Sequence, residues 1–378
     1  MDIDLNEAQK MLQRTARDFF EAKYPMSMAR KMVDDEKGCL PGVWREIADL
    51  GWLGLIVPEE YGGEGCSFLD LLILLEETGR VCFLGPLFST VVLGELLILC
   101  AGSEEQKKSV LPRMCSGELL ATMALTEGVS FKPEGITLEA VANKDNFILS
   151  GTKIFVPDAH WADLLICVAR TKKSQNTEDG ITIFLVDSKR RGFERNPLKT
   201  IDGSKQSEVI FRNVKVPQEN ILGPLDGDWP IVEKILQFAA VAKCAESLGS
   251  AERVLEMTVQ YAKERQQFGR PIGAFQVIQH FCVDMLTDVD TMRLATYQAG
   301  WMLSQDITCR KEVSMAKAWV AEAFKRVALY GLKIHGGAGY MEDHDMSLYF
   351  RRAQTAASSF GNADFHREMV AQELAISA

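Results

Sequence analysis

The spacing of apolar residues changes twice along the chain. Up to about residue 118, apolar residues recur every three or four positions, the spacing of amphipathic helices. Between about 119 and 226 the pattern favours strands, and from about 229 helical spacing returns in long segments that are typical of a helical bundle. The pattern therefore predicts a helical domain over residues 1–118, a β domain over 119–226 and a helical domain over 227–378.

The clearest segments support this division. Residues 138–151 place apolar residues on both sides of the polar turn Asn143-Lys-Asp-Asn146, and residues 181–186 and 209–216 are expected to form further strands. The most apolar stretch, from Phe83 to Cys100, contains glycine, proline and a glutamate. We therefore expect it to be a buried helix with its approach and not a membrane span.

Composition excludes several classes of protein. The 378 residues are too many for one hydrophobic core, and a composition of 47% apolar and 25% charged residues is that of a globular protein. The formal net charge of −10, with both signs interspersed, argues against a nucleic-acid partner. The nine cysteines form no C-x-x-C pair, so reduced thiols are expected and no metal site is predicted. The acidic start at residues 1–4 carries no signal sequence, and we expect a cytoplasmic, bacterial protein.

Four motifs follow one another across the three predicted domains. They are Ala124-Leu-Thr-Glu127, Gly151-Thr-Lys-Ile-Phe-Val156, Arg265-Gln-Gln-Phe-Gly-Arg-Pro-Ile-Gly-Ala-Phe-Gln276 and Ile334-His-Gly-Gly-Ala-Gly-Tyr340. With them the chain resembles the FAD-dependent acyl-CoA dehydrogenase family over essentially its whole length. The resemblance implies an N-terminal α-helical domain, a central β-barrel and a C-terminal four-helix bundle. It also implies an acyl-CoA substrate, electron transfer to an electron-transferring flavoprotein, and a homotetramer or a heterotetramer with a related subunit.

FAD needs a cation for its pyrophosphate, close backbone approach and an apolar wall. Arg265 can supply the cation, Phe268 the wall, and Gly336 and Gly337 the close approach, since they have no side chains. The resemblance assigns the following residues to one FAD: Arg265, Gln267, Phe268 and Gln276. It assigns Gly337 to the FAD of a neighbouring subunit.

The motifs of the β domain are expected to line the flavin ring. The resemblance places Thr126 at the pyrimidine edge of the flavin, with Leu125 beside it. Phe155 stands where the family usually has a ring-packing Trp. Pro157 stands where many members have a hydroxyl that donates to flavin N5, and proline cannot donate a hydrogen bond.

The usual catalytic glutamate is missing. Phe360 occupies its position near the C-terminus, and Ala239 occupies a second position that the family uses. Glu246 lies seven residues after Ala239 on the same helical face, among small residues that could leave space for a ligand. The stretch Ala245-Glu-Ser-Leu-Gly249 resembles a bacterial branch that acts on steroid side-chain and ring-derived CoA esters. This makes Glu246 the candidate base, and the alternative is a helix-surface ion pair with Lys243.

Three functions stay open at this point. The first is α,β-dehydrogenation of a branched or cyclic acyl-CoA. The second is altered chemistry on the same scaffold, such as oxidative decarboxylation or ring oxidation. The third is a non-catalytic FAD-binding subunit of a heteromeric complex. His335 and His366 lie near glycines and at a helix end, so no catalytic role is assigned to them.

Overall fold

The computed structural model describes residues 5–376, and the acidic residues 1–4 and residues 377–378 lie outside it. The first part of the chain is helical. Three of its helices begin with a capping box, in which an N-cap serine or asparagine exchanges hydrogen bonds with an Asp or Gln three residues later. The helices are α1 (Glu7–Lys23), α2 (Met26–Asp34), α3 (Pro41–Asp49), α4 (Phe68–Arg80), a π-helix (Phe88–Glu95), α5 (Leu96–Ala101) and α6 (Glu104–Cys115).

A mixed sheet follows these helices. Its strands are β1 (Ala121–Ala124), β2 (Glu139–Asn143), β3 (Asn146–Pro157), β4 (Leu164–Arg170), β5 (Ile181–Asp187), β6 (Phe193–Leu198), β7 (Gln206–Pro217) and β8 (Ile221–Leu222). They pair in the order β6-β7-β3-β2-β4-β5-β8, and β1 lies parallel to β4. Among the described residues the two ends of this order do not pair, so the expected barrel is an open sheet.

Long helices complete the chain. They are α7 (Trp229–Glu264), α8 (Gln276–Ser304), α9 (Arg310–His335), α10 (Asp345–Ser358) and α11 (Ala363–Ile376). The two-residue strands β9 (Gln266–Gln267) and β10 (Arg270–Pro271) form a small hairpin between α7 and α8. The predicted fold class, with helices, then a sheet, then helices, is confirmed.

The chain folds into two compact units whose limits differ from the domain boundaries expected from sequence. Of the described residues, one unit comprises those up to 31, residues 67–83 and those from 240 onward, and the other comprises residues 32–66 and 84–239. The first is helical, and the second contains the sheet together with α3, α5, α6 and the π-helix. The boundaries near residues 118 and 226 therefore remain predictions about sequence domains.

The core of the sheet unit lies on one face of its strands. Large side chains from several strands meet there, among them Leu149, Leu165, Phe184 and Phe211, and each is at least 98% buried. In β4 and β5 nearly every position is buried, which explains why their sequences are continuous apolar runs and do not alternate.

In the helical unit, α4 and α7 cross at close range. A Cβ added to Gly249 would lie 1.8 Å from the carbonyl oxygen of Glu76, and one added to Gly79 would lie 2.0 Å from the carbonyl oxygen of Glu246. Ser250 Oγ donates a hydrogen bond of 2.7 Å to the carbonyl of Gly79. Glycine is thus required on both helices for this contact.

Among the described residues, none of the helices is both long enough and apolar enough to cross a lipid bilayer. The apolar stretch from Phe83 to Cys100 instead forms the π-helix and α5, as a buried segment of the fold.

Asp228, just before α7, gives the sheet unit a testable pH dependence. Its carboxyl is fully buried, Oδ2 accepts a hydrogen bond of 2.7 Å from Ile183 N, and burial raises its pKa to about 7 from 3.8. Between these two values the folded protein holds a proton that the unfolded chain has released, so the free energy of unfolding should fall as pH rises.

We expect Asp228→Asn to flatten this fall, because the amide does not titrate. Urea unfolding of the variant and of the wild type, followed from about pH 4 to pH 7, measures the difference. The exposed residue Asp145 provides the control, since Asp145→Asn should leave the slope unchanged. If the free energy of unfolding falls with pH equally in the wild type and in Asp228→Asn, the pH dependence does not come from Asp228.

Candidate functional site

In the sheet unit, the segment after β1 is fixed against β3. Ile154 N donates a hydrogen bond of 2.7 Å to the carbonyl of Thr126, and Thr126 Oγ1 donates one of 2.6 Å to the carbonyl of Ile154. Leu125 and Thr126 are both buried. The two residues expected at the flavin edge therefore have one defined position.

Lys153 is a buried side chain that hydrogen-bonds the segment of residues 125–127, which follows β1. Its side chain is completely buried, and Nζ donates to the carbonyl of Leu125 at 2.9 Å and to Glu127 Oε1 at 2.6 Å. Glu127 also accepts from the backbone N–H groups of Thr137 and Leu138, each at 2.9 Å. Burial alone would raise the pKa of Glu127, but Lys153 and these hydrogen bonds lower it.

Phe155 is exposed because β3 is irregular at this point. The pairing of β3 with β7 shifts register between Lys153 and Val156, and Phe155 lies in this bulge with a φ of 56°. Its ring is 47% exposed, which is unusual for a phenylalanine in a strand of this sheet. Pro157, two residues later, accepts a hydrogen bond from Thr122 Oγ1 through its carbonyl and offers no donor.

In the helical unit, Arg265, Gln267, Phe268 and Gln276 lie on one short segment around the β9–β10 hairpin. All four are exposed, and Phe268 is 91% exposed with a φ of 54°. The carbonyl of Arg265 accepts a hydrogen bond of 2.8 Å from the N–H of Ile272, which closes the hairpin. The segment thus presents a cation, polar groups and an apolar ring together.

The glycine motif lies near this hairpin. His335 ends α9 and stacks on Tyr261 of α7, four residues before Arg265, with ring centroids 4.3 Å apart. Gly336 follows with a φ of 61°, and a Cβ added to Gly336 or Gly337 would meet no atom of the described residues within 4 Å. The turn therefore leaves its backbone open to a ligand. Burial lowers the pKa of His335, which supports a packing role.

Glu246 lies buried between two cations of the helical unit. It pairs with Lys243, as the alternative expected from sequence proposed, and its Oε1 also lies 3.7 Å from Arg352 Nη2. Arg352 in turn donates a hydrogen bond of 2.9 Å to the carbonyl of Phe83. Sequence reasoning missed Arg352, because it lies on α10, more than one hundred residues from Glu246.

One expectation about this helix face was wrong. The small residues on the face of Glu246 were expected to leave space for a ligand, but two of them, Gly249 and Ser250, form the contact with α4. Ala239 and Ala242 are also fully buried.

The backbone of the turn that carries Phe360 is held by hydrogen bonds from two buried side chains, Lys317 and His366. Phe360 has a φ of 56°, and its carbonyl lies 2.9 Å from His366 Nε2. The buried Lys317 Nζ donates to the carbonyls of Ala356 and Gly361 at 3.1 and 3.2 Å. Burial lowers the pKa of Lys317 to about 8 and that of His366 to about 4, so His366 is neutral at physiological pH and serves to hold the turn.

Three family models match the chain in order. They are the acyl-CoA dehydrogenase N-terminal domain over residues 6–118, the middle domain over 122–214 and the C-terminal domain over 227–375. The chain therefore belongs to the acyl-CoA dehydrogenase family, whose members are FAD-dependent oxidoreductases.

Relatives of known sequence and structure agree with this assignment. The chain is 31% identical to an acyl-CoA dehydrogenase of Bacillus subtilis, covering 98% of this chain and 99% of that protein. It is 32% identical to a 3-(aryl)acrylate reductase of Clostridium sporogenes, with 97% and 98% covered. It is also similar to the ChsE4-ChsE5 complex from Mycobacterium tuberculosis, with a TM-score of 0.91, 28% identity and 99% of each chain covered.

The residues described above have the chemistry that FAD requires. Arg265 offers a guanidinium for the pyrophosphate, the open backbone at Gly336 and Gly337 allows close approach, and the exposed rings of Phe155 and Phe268 offer apolar surface.

Proposed function

We propose that this protein is an FAD-dependent acyl-CoA dehydrogenase that introduces an α,β double bond into a branched or cyclic acyl-CoA thioester. The observation that carries the proposal is the geometry of the bulge in β3. An exposed Phe155 lies beside a Leu125–Thr126 segment that Lys153 and Ile154 fix in place. A rigid edge next to an exposed aromatic ring is suited to a flat ligand such as the flavin.

We assign nine residues to FAD. Leu125 and Thr126 would contact the pyrimidine edge of the ring and Phe155 its face. Arg265, Gln267, Phe268 and Gln276 would hold the pyrophosphate and the adenosine half of one FAD. Gly336 and Gly337 would allow close approach of FAD to the backbone, and for Gly337 this would be the FAD of a neighbouring subunit. The support for this assignment is the exposure of the hairpin and the free space that an added Cβ would find at either glycine among the described residues.

Glu246 is the proposed base. A carboxylate that is shielded from water can remove the α-proton of the thioester, while the bound FAD supplies the acceptor for the β-hydride. Lys243 and Arg352 would fix the orientation of the carboxylate from two sides. Phe360, in place of the usual glutamate, would leave an apolar wall where a second carboxylate would otherwise compete.

A branched or cyclic acyl group is supported by the resemblance of the stretch Ala245-Glu-Ser-Leu-Gly249 to the bacterial branch that acts on steroid side-chain and ring-derived esters.

The test is an absorbance spectrum of the purified chain with FAD, before and after anaerobic addition of straight, branched and cyclic acyl-CoAs. We expect a branched or cyclic ester to abolish the absorbance band of oxidised flavin at about 450 nm. Fast reduction by butyryl-CoA or octanoyl-CoA would refute the proposed substrate class. FAD that binds and is reduced by none of the esters would favour the alternative, a non-catalytic subunit of a heteromeric enzyme, which the similarity to the ChsE4-ChsE5 complex supports.

An apolar face on α8 and α9 supports the proposed tetramer, either of identical chains or with a related subunit. The exposed residues on this face include Val283, Leu286, Leu294, Met315, Trp319 and Leu329. Large exposed apolar side chains concentrated on two neighbouring helices are typical of a subunit interface. Electrons would then pass to an electron-transferring flavoprotein, and we place the enzyme in the cytoplasm.

We expect Leu294→Glu combined with Met315→Glu to dissociate the oligomer, because charges buried at an interface lose their hydration. Light scattering after size exclusion measures the mass directly. The exposed Val141 of the sheet unit offers the control, since Val141→Glu should keep the wild-type mass. An unchanged mass for the double variant would remove this face from the interface.

A further inference from the structure

Four charged side chains of the helical unit, buried or half-buried, alternate in sign and join three helices. Arg80 Nη1 of α4 lies 2.6 Å from Glu252 Oε2 of α7. Arg293 of α8 lies 2.7 Å from the other oxygen of Glu252 and 2.8 Å from Glu76 of α4. Glu76 and Arg80 are one turn apart on the same face of α4, so the pairs close into a ring. We call these four residues the charge ring.

Stability alone is a weak reason for the charge ring. Glu76 is completely buried and Arg80 is 6% exposed, and the cost of removing such charges from water can exceed what their pairing returns. Buried ion pairs can often be replaced by apolar side chains without loss of stability. What a charged hydrogen bond adds is direction, because donor and acceptor must take defined positions. The charge ring is therefore suited to fixing how α4, α7 and α8 are oriented.

Both carboxylate oxygens of Glu76 are held from α8. Arg293 Nη1 donates to Oε1 at 2.8 Å, and the hydroxyl of Tyr297 donates to Oε2 at 2.7 Å. Burial raises the pKa of Tyr297 well above its ordinary value, so the hydroxyl keeps the proton that it donates. Arg293 Nη2 donates to Glu252 at 2.7 Å. One guanidinium thus connects a carboxylate of α4 with a carboxylate of α7 through two separate nitrogens, which the single ammonium of a lysine cannot reproduce.

The charge ring lies beside the crossing of α4 and α7, where the two backbones touch. A Cβ added to Gly79 would lie 2.0 Å from the carbonyl oxygen of Glu246. One added to Gly249 would lie 1.8 Å from the carbonyl oxygen of Glu76. A contact made by glycines has no interlocking side chains, so it sets the distance between the helices and leaves their angle to neighbouring contacts.

The proposed base and the charge ring lie on opposite sides of this crossing along α7. Glu246 comes three residues before Gly249 and Glu252 comes three residues after it. Each is therefore about 4.5 Å from Gly249 along the helix axis. A rotation of α7 about the crossing that moves Glu252 moves Glu246 by about the same distance in the opposite direction.

We infer that Arg293 is a positioning residue for Glu246, the proposed base. Its link between Glu76 and Glu252 fixes the angle of α7, and this angle directs the carboxylate of Glu246. The inference rests on the proposed function, in which Glu246 removes the α-proton. A displacement of about 1 Å at a reacting group can lower a rate by about 10²-fold, so a small change of the angle is sufficient.

Arg293→Met removes the link, and Arg17→Met is its matched control. Arg17 of α1 donates two hydrogen bonds, of 2.7 and 3.0 Å, to Glu77 of α4. The side chains of this pair are 35% and 1% exposed, against 34% and 0% for Arg293 and Glu76. Either substitution leaves a buried carboxylate of α4 without its arginine, but only Arg293→Met breaks the link to α7. The two variants should therefore lose similar free energies of unfolding, which urea unfolding measures.

Stopped-flow reduction of the bound flavin at increasing ester concentration separates the limiting rate from the dissociation constant of the ester. Isobutyryl-CoA serves as the branched ester and cyclohexanecarbonyl-CoA as the cyclic one. We expect Arg293→Met to lower the limiting rate by about tenfold to a hundredfold, with the dissociation constant and the FAD content of the wild type. Arg293→Lys should recover part of the rate, because one charged contact can remain. Arg17→Met should reduce flavin at the wild-type rate.

Amide hydrogen exchange gives a second measurement that needs no turnover. Exchange over residues 240–252 of α7 should be faster in Arg293→Met than in the wild type or in Arg17→Met, because the released segment opens more readily. If Arg293→Met does not fold, Arg293→Lys replaces it in both measurements, with smaller effects in the same direction.

Glu246→Gln separates this inference from the proposed function. If it reduces flavin at the wild-type rate, or if neither ester reduces the wild-type flavin, the proposed function and the inference are both wrong. If Glu246→Gln slows reduction and Arg293→Met does not, Glu246 remains the base and the role of Arg293 is overturned. Equal slowing in Arg293→Met and Arg17→Met also overturns that role, since the loss is then one of general packing. Slower reduction and faster exchange in Arg293→Met alone support the inference.

Discussion

Glu246→Gln is expected to slow reduction of the bound flavin by acyl-CoA by a factor of about 10²–10⁴, the usual contribution of a positioned general base. Glutamine has nearly the same shape, and its single amide oxygen can still accept a hydrogen bond from Lys243 or face Arg352, but it cannot take up the α-proton. FAD content and the flavin spectrum should remain those of the wild type. Single-turnover stopped-flow spectroscopy measures the rate without interference from the later electron acceptor.

Lys243→Met distinguishes catalysis from structure. It breaks the same ion pair as Glu246→Gln and leaves the carboxylate present, still 3.7 Å from Arg352. If Glu246 is the base, Lys243→Met should retain much more of the rate than Glu246→Gln. If both variants lose the same amount of rate and stability, the pair is structural and the base lies elsewhere. If both reduce flavin at the wild-type rate, Glu246 has no part in the reaction.

The secondary structure could be predicted from sequence because the apolar spacing is strong and local. The helices before residue 118 and the turn at residues 143–146 are examples, and the four motifs indicated the family. The open sheet could not be predicted, since closure depends on the pairing of strands that are distant in sequence. The grouping into two compact units also depends on long-range contacts, which join residues 67–83 to the C-terminal helices.

The candidate site was predictable only where sequence motifs carry it. Small residues after Glu246 gave no sign of whether a ligand or another helix would cover them, and the structure shows that α4 covers Gly249 and Ser250. Arg352 was invisible for a similar reason, because its partner lies on a different helix. A lysine at a buried strand position was the available signal for Lys153, since an unpaired buried lysine is rare and implies a nearby carboxylate.

Lys153→Met is expected to weaken both the fold and FAD binding. The substitution leaves the Glu127 carboxylate, whose side chain is 11% exposed, without its cation, and breaking such a buried pair costs about 3 kcal/mol or more. It also removes the hydrogen bond to the carbonyl of Leu125, so the segment that is proposed to meet the flavin edge loses one of its anchors. Urea unfolding of the apoprotein and fluorescence titration with FAD measure the two effects separately.

The double variant Lys153→Met with Glu127→Gln shows how the two effects are connected. Removing the unpaired Glu127 carboxylate should restore part of the free energy of unfolding lost in Lys153→Met, because the two side chains interact directly. The hydrogen bond to Leu125 is not restored, so FAD affinity should stay about tenfold below that of the wild type, the factor expected for one buried hydrogen bond. If the destabilised single variant binds FAD with wild-type affinity, Lys153 stabilises the fold of the sheet unit but does not contribute to FAD binding. The paired hydrogen bonds between Thr126 and Ile154 would then be what positions the flavin edge.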